Sequence, residues 1–170
     1  GEVKSVPALY RARENTVFVM AVATNVAKIV AGLYHALALR KDGTLVGAGY
    51  GSFMNVAPGY GVVDVAAGYA INLCKYADGG LYAWGDNSGG ARDVPANLPP
   101  IAAMASGPFA EHFLVLGQTR TNNSWGGAVF AWGRNYDGEC NVPAGLVQAD
   151  GTGVGDVKQL LAVAGGAGGG

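Results

Sequence analysis

The 170-residue chain is 50% hydrophobic and only 14% charged, contains 29 glycines, and has a formal net charge of −1 at pH 7. So neutral a balance gives no electrostatic footprint for a phosphate backbone, which argues against nucleic acid as a partner. No apolar run approaches the roughly 18 residues that a membrane-spanning helix needs, and the glycine content suits a turn-rich β protein of one domain.

Taken from the N-terminus, residues 1–25 read as a partial repeat or an extension. Val6-Pro7-Ala8 looks like the closing turn of a unit whose start is missing, and Lys4, Arg11 and Arg13 form a small basic cluster read as a solvated terminal segment. A chain that opens on glycine is expected to be a processed one, which gives a lean toward an organelle or export.

Residues 26–155 hold three copies of one unit. The first reads Ile29–Gly32, His35–Leu39, an Asp42-Gly43 turn, and Leu45–Gly49; the second repeats it at Val65–Gly68, Ile71–Lys75, Asp78-Gly79 and Leu81–Gly85. Asp-Gly between two apolar runs is a strong hairpin signal, because both residues tolerate the positive φ of a turn that matches strand twist. Strands are therefore expected near 29–32, 35–40, 45–48, 65–68, 71–76 and 81–84, antiparallel within each unit, and the third copy adds 112–116 and 129–132. The small Ala-Gly ending of the first strand in the first two copies fits an innermost position crowded against its neighbours. Between Leu116 and Val129 the third copy carries seven more residues than the second, read as a long surface loop. Residues 156–170 begin a fourth unit and pass into a glycine-rich tail.

The second and third copies share a tail, WGxNxxGxxxVPAxL, at Trp84–Leu98 and Trp132–Leu146. In the first copy Ala48 stands in place of the tryptophan, and the tail is two residues shorter. A long spaced motif that recurs marks an architecture of stacked units that bury their apolar faces on each other. Four short strands per unit make a propeller blade. The pattern resembles the regulator of chromosome condensation repeat, a seven-bladed β-propeller family, and most closely its bacterial-type members, among them β-lactamase-inhibitory propellers. The resemblance implies an all-β fold, blades of four antiparallel strands, and about half of a seven-bladed ring or an incomplete propeller. Family members exchange nucleotides on small GTPases, bind chromatin, inhibit enzymes or act as scaffolds, so function resides in loops rather than in the fold.

Chemistry is hard to place on these residues. His35 and His112 share one repeat position, which suits a structural hydrogen bond. The aspartates fall in turns, where turn formation is their default role. Cys74 reads as an inert buried thiol, and Cys74 and Cys140 lie on separate units too distant for a disulfide. No catalytic residue, cofactor site or metal site is assigned. Trp84 and Trp132 are expected to anchor blade cores, whereas Trp125 lies outside the repeat register; with Arg120 and Asn122 it forms the candidate partner contact in the inserted segment.

An open arc of blades exposes apolar faces that must be covered. The expected function is that of a non-enzymatic protein-interaction module, a scaffolding or accessory subunit whose open blade faces are covered by other protein subunits, with an organellar assembly as one setting. The alternative is a regulatory binder, such as an enzyme inhibitor or a small-GTPase exchange factor, acting through propeller loops.

Overall fold

The computed structural model describes residues 24–50, 59–121, 124–144 and 146. The expectations for residues 1–23 and for the fourth unit from 156 onward lie outside the described residues. Within them the chain is all-β, without helix, and forms three antiparallel sheets of three strands each. The first blade comprises β1 (Val26–Ala31), β2 (His35–Arg40) and β3 (Leu45–Gly49). The second comprises β4 (Val62–Ala67), β5 (Ile71–Tyr76) and β6 (Leu81–Gly85). In the third lie β7 (Ile101–Ala105), β8 (His112–Thr121) and β9 (Ser124–Gly133). Each sheet is a meander in chain order, as short hairpin connections dictate.

The Asp-Gly turns form as the sequence suggests. Gly43 and Gly79 adopt φ of 80° and 90°, and the carboxylates of Asp42 and Asp78 accept the backbone N–H groups of Thr44 at 3.0 Å and Gly80 at 2.9 Å. The first strands begin earlier than expected, at Val26 and Val62 in place of 29 and 65. Each inner strand carries a register shift near its start, at Val26/Lys28, Val62/Asp64 and Ile101/Ala103. That irregularity breaks the alternation on which the sequence reading relied.

The inner connections are crowded, and small residues are there for that reason. A Cβ on Gly32 would run into the carbonyl oxygen of Gly68, and one on Gly68 into that of Ala110. The same connections are linked by backbone hydrogen bonds, Leu33 N–H to Tyr69 O at 3.3 Å and Tyr69 N–H to Ala110 O at 2.8 Å. Blade therefore follows blade in one orientation.

Two expectations need correction. Four strands per blade were expected; among the described residues each blade has three, the tail of the first blade at 51–58 lies outside them, and the tail shared by the second and third copies runs as turns. The motif itself supplies the reason. Asn87 Oδ1 accepts the Arg92 N–H at 2.7 Å while its Nδ2 donates to Asp93 at 3.2 Å, and Asn135 does the same with the Cys140 N–H at 2.9 Å and Asn141 at 3.2 Å. These bonds, with Gly90 and Gly138 at φ of 75° and 88°, curl the tail before a fourth ladder can form. The second correction concerns the segment from Gly117 to Ala128. It is an extension of the β8–β9 hairpin, paired from Gly117↔Ala128 out to Thr121↔Ser124.

The core lies between the sheets. One cluster joins Leu37, Leu39 and Leu45 of the first blade to Val62, Val65, Cys74 and Trp84 of the second. The other joins Leu73 and Ala83 of the second to Met104, Phe113, Val115 and Trp132 of the third. β5 thus buries alternate side chains on opposite sides, Leu73 toward one neighbour and Cys74 toward the other. The strand directions also define two faces: a hairpin face with the β2–β3, β5–β6 and β8–β9 turns, and an exit face with the first connections and the ends of β3, β6 and β9.

Candidate interaction surfaces

The β8–β9 hairpin is the feature that sets the third blade apart. Its strands run for 10 residues each, against 6 and 5 in β5 and β6, so it projects about 14 Å further from the hairpin face at ~3.4 Å per residue. Arg120 and Trp125, expected in a loop, are strand residues directly opposite each other. Asn122 lies outside the described residues.

The second surface is the side of the first blade that faces away from the second. Ile29 is 48% exposed there, while Val65, which holds the same repeat position one blade on, is 0% exposed because the first blade covers it. β1 alternates between partly buried and exposed along its whole length. The tryptophan position shows the same asymmetry. Trp132 packs toward the second blade and donates its indole N–H to Ala91 O in the preceding tail at 3.0 Å. Trp84 packs likewise on the first blade, and both are 7% exposed. In the first blade the position is Ala48, only partly buried.

Buried and partly buried polar groups bind blade to blade. His35 Nε2 lies 2.6 Å from Asn72 Oδ1 of the next blade, and burial lowers the imidazole pKa below its ordinary value of 6.5. Lys28 bridges to Asp64 at 2.6 Å across the first pair of blades, and Lys75 donates to the Ile101 carbonyl at 2.7 Å across the second. Cys74 and Cys140 are both free thiols; burial pushes Cys74 up to about 11, which keeps it protonated and unreactive. Among the described residues no cluster of three or more His, Cys, Asp or Glu side chains could hold a metal ion, and no helix is long and apolar enough to cross a membrane.

The sequence reading overlooked a group of aromatic side chains on the exit face. Tyr34, Tyr50, Tyr69, Phe109 and Tyr136 occupy loop positions that do not repeat from copy to copy, so no motif marks them. Only the ordering of the blades brings their loops side by side.

Residues 26–53 and 62–91 match the family described as Regulator of chromosome condensation (RCC1) repeat. No curated protein matches the chain. Solved structures of similar fold include human WBSCR16, 19% identical over 72% of this chain and 38% of that one, with a TM-score of 0.52. Another is the entire ectodomain of the Physcomitrella patens receptor kinase CR4, 23% identical over 77% of this chain and 38% of that one, with a TM-score of 0.57. The chain therefore spans well under half the length of these structures. The first two blades thus match the regulator of chromosome condensation repeat in sequence, and the sheets of the chain stack face to face as the blades of a partial propeller.

Proposed function

We propose that the chain is a non-enzymatic protein-interaction module, a scaffolding or accessory subunit whose open blade sides dock on other polypeptide. The observation that carries this reading is the contrast between Ile29 and Val65, one apolar position that is covered in the second blade and half exposed in the first. Leaving about 400 Å² of apolar surface wet forfeits about 10 kcal/mol at roughly 25 cal/mol per Å², comparable to the net stability of a whole domain. Covering polypeptide restores it. Because Ala48 stands where the later blades carry tryptophan, the covering surface has to bring its own bulk to that position.

Reversible unfolding of the isolated 170-residue chain tests this. The expected result is a marginal or aggregating chain that gains stability when its binding protein is added. A monomer that unfolds cooperatively with more than about 5 kcal/mol would show that the fold closes on itself and would remove the support for a docking subunit.

The projecting hairpin favours a second reading, a regulatory binder of an enzyme or a small GTPase that grips its target with Arg120, Asn122 and Trp125. Here a well-behaved monomer is expected, and Trp125→Ala should weaken target binding by a hot-spot amount, about 2 kcal/mol, without moving the unfolding midpoint.

A further inference from the structure

We infer that the exit face is a docking site for a cationic, arginine- or lysine-rich protein segment. This goes beyond the covering of the open blade sides, and it concerns a different surface. Tyr34 and Tyr69 form a pair across the first two blades, their rings edge to face with centroids 5.3 Å apart and their hydroxyls 3.1 Å apart. Tyr50 begins immediately after β3, its N–H donating to Tyr34 O at 2.9 Å, and is 70% exposed. The Tyr69 N–H reaches Ala110 O, next to the exposed ring of Phe109. Backbone hydrogen bonds thus link the aromatic positions from the first blade to the third.

Charge selects the partner. Asp86, whose N–H donates to Ala70 O beside Tyr69, and Asp137, next to Tyr136, are exposed, as is Asp93 in the tail that leaves β6; Arg92 is the exposed cation of that tail. The other guanidinium, Arg134, is already held by Glu111 at 2.7 Å and approached by Glu139 at 3.8 Å. On the hairpin face the turn carboxylates Asp42 and Asp78 are balanced by Arg40 and Lys41. Among the described residues, the exit face combines open aromatic rings with more exposed carboxylates than exposed cations.

The chain contains its own example of the contact. The Arg134 guanidinium lies 5.0 Å from the centre of the Tyr136 ring while Glu111 accepts its hydrogen bond. A cation over an aromatic face with a carboxylate beside it is how an incoming arginine or lysine is satisfied. Tyr50 and Phe109, over which no guanidinium lies among the described residues, offer further exposed rings to a segment laid across the blades.

Fluorescence anisotropy of a short labelled peptide of alternating arginine and glycine, titrated with the purified chain, tests the assignment. Binding is expected, weakening as salt shortens the screening length, and falling roughly tenfold in the double variant Tyr50→Ser, Asp137→Asn. Tyr60→Ser provides the control: Tyr60 is 82% exposed but precedes β4 on the hairpin face, and its replacement should leave binding unchanged. Equal binding of a peptide with glutamine in place of arginine would overturn the proposal, as would no binding at all, or equal losses from the exit-face and Tyr60 variants. Tyr50, Phe109 and Tyr136 belong to neither apolar cluster, so these variants keep the unfolding midpoint of the parent. A chain that proves stable alone would end the docking-subunit reading and leave this one standing.

Discussion

The first and second blades are built from nearly the same unit and differ in company. β5 and the second half of β4 in the second blade are buried on both sides, while β1 keeps alternate residues in solvent. The lesson is that burial in a repeat protein belongs to the interface between units rather than to the unit. Ile29 is as apolar as Val65 and sits in the same place, yet only the latter contributes a buried side chain. The variation at the tryptophan position follows this division, with indole rings where a preceding blade receives them and Ala48 where the blade side is open.

The strongest way to break the comparison is at Trp132. Trp132→Ala empties an interface between blades and removes the hydrogen bond to Ala91, so a loss of about 3 to 5 kcal/mol is expected from the urea midpoint. A change below about 1 kcal/mol would show that the core does not lie between the sheets. The matched pair Val65→Ala and Ile29→Ala sharpens it. Val65→Ala should cost roughly 2 kcal/mol and Ile29→Ala within about 0.5 kcal/mol in the chain alone. With the covering protein bound the two values should converge.

Smaller effects follow from the tails. Asn87→Ala and Asn135→Ala each remove a backbone-capping hydrogen bond and its companion, at about 1 kcal/mol per site. Because the two geometries coincide, the two losses should agree within a few tenths of a kcal/mol in parallel urea titrations. The smallest effect is in pH. Burial depresses His35 below 6.5, and His112 is lowered for the same reason. As pH falls through 6.5 the unfolded chain therefore takes up protons that the folded chain refuses. Stability is fully present above that pH and is lost progressively below it, toward the folded pKa. Unfolding midpoints at about pH 7.5 and about pH 5.5 should show this decline, and His35→Gln should make it shallower without abolishing the share of His112.

Much of the architecture was legible in the residues. The Asp-Gly turns, the two tryptophans and the Ala-Gly endings each have a local cause that a sequence displays. The form of the tail was not legible, because the Asn and Pro that flag a repeat do not say whether the segment pairs or turns back; that depends on the bonds of Asn87 and Asn135, which no propensity reveals. The hairpin was misread for a related reason. Glycines and polar residues between Gly117 and Ala128 look like loop, yet Thr119, Thr121 and Trp125 favour a ladder once β8 is anchored by Phe113 and Val115. The aromatic exit face was invisible for a different reason, since its members come from connections that share no motif.

Cores placed between sheets also set the order in which the molecule opens and closes. No blade owns an interior, so a blade forms stably only as it closes on a neighbour, and structure spreads from one junction to the next as in other nearest-neighbour arrays. The middle strands around Leu73 and Cys74 belong to both junctions, and their amides should be the slowest to exchange. β1, held on one side, should be the first to fray. Under the proposed docking, the strand that would meet a binding protein is also the one whose release commits the chain to unfolding, so occupancy of that side would govern the chain's lifetime against a protease as well as its equilibrium stability.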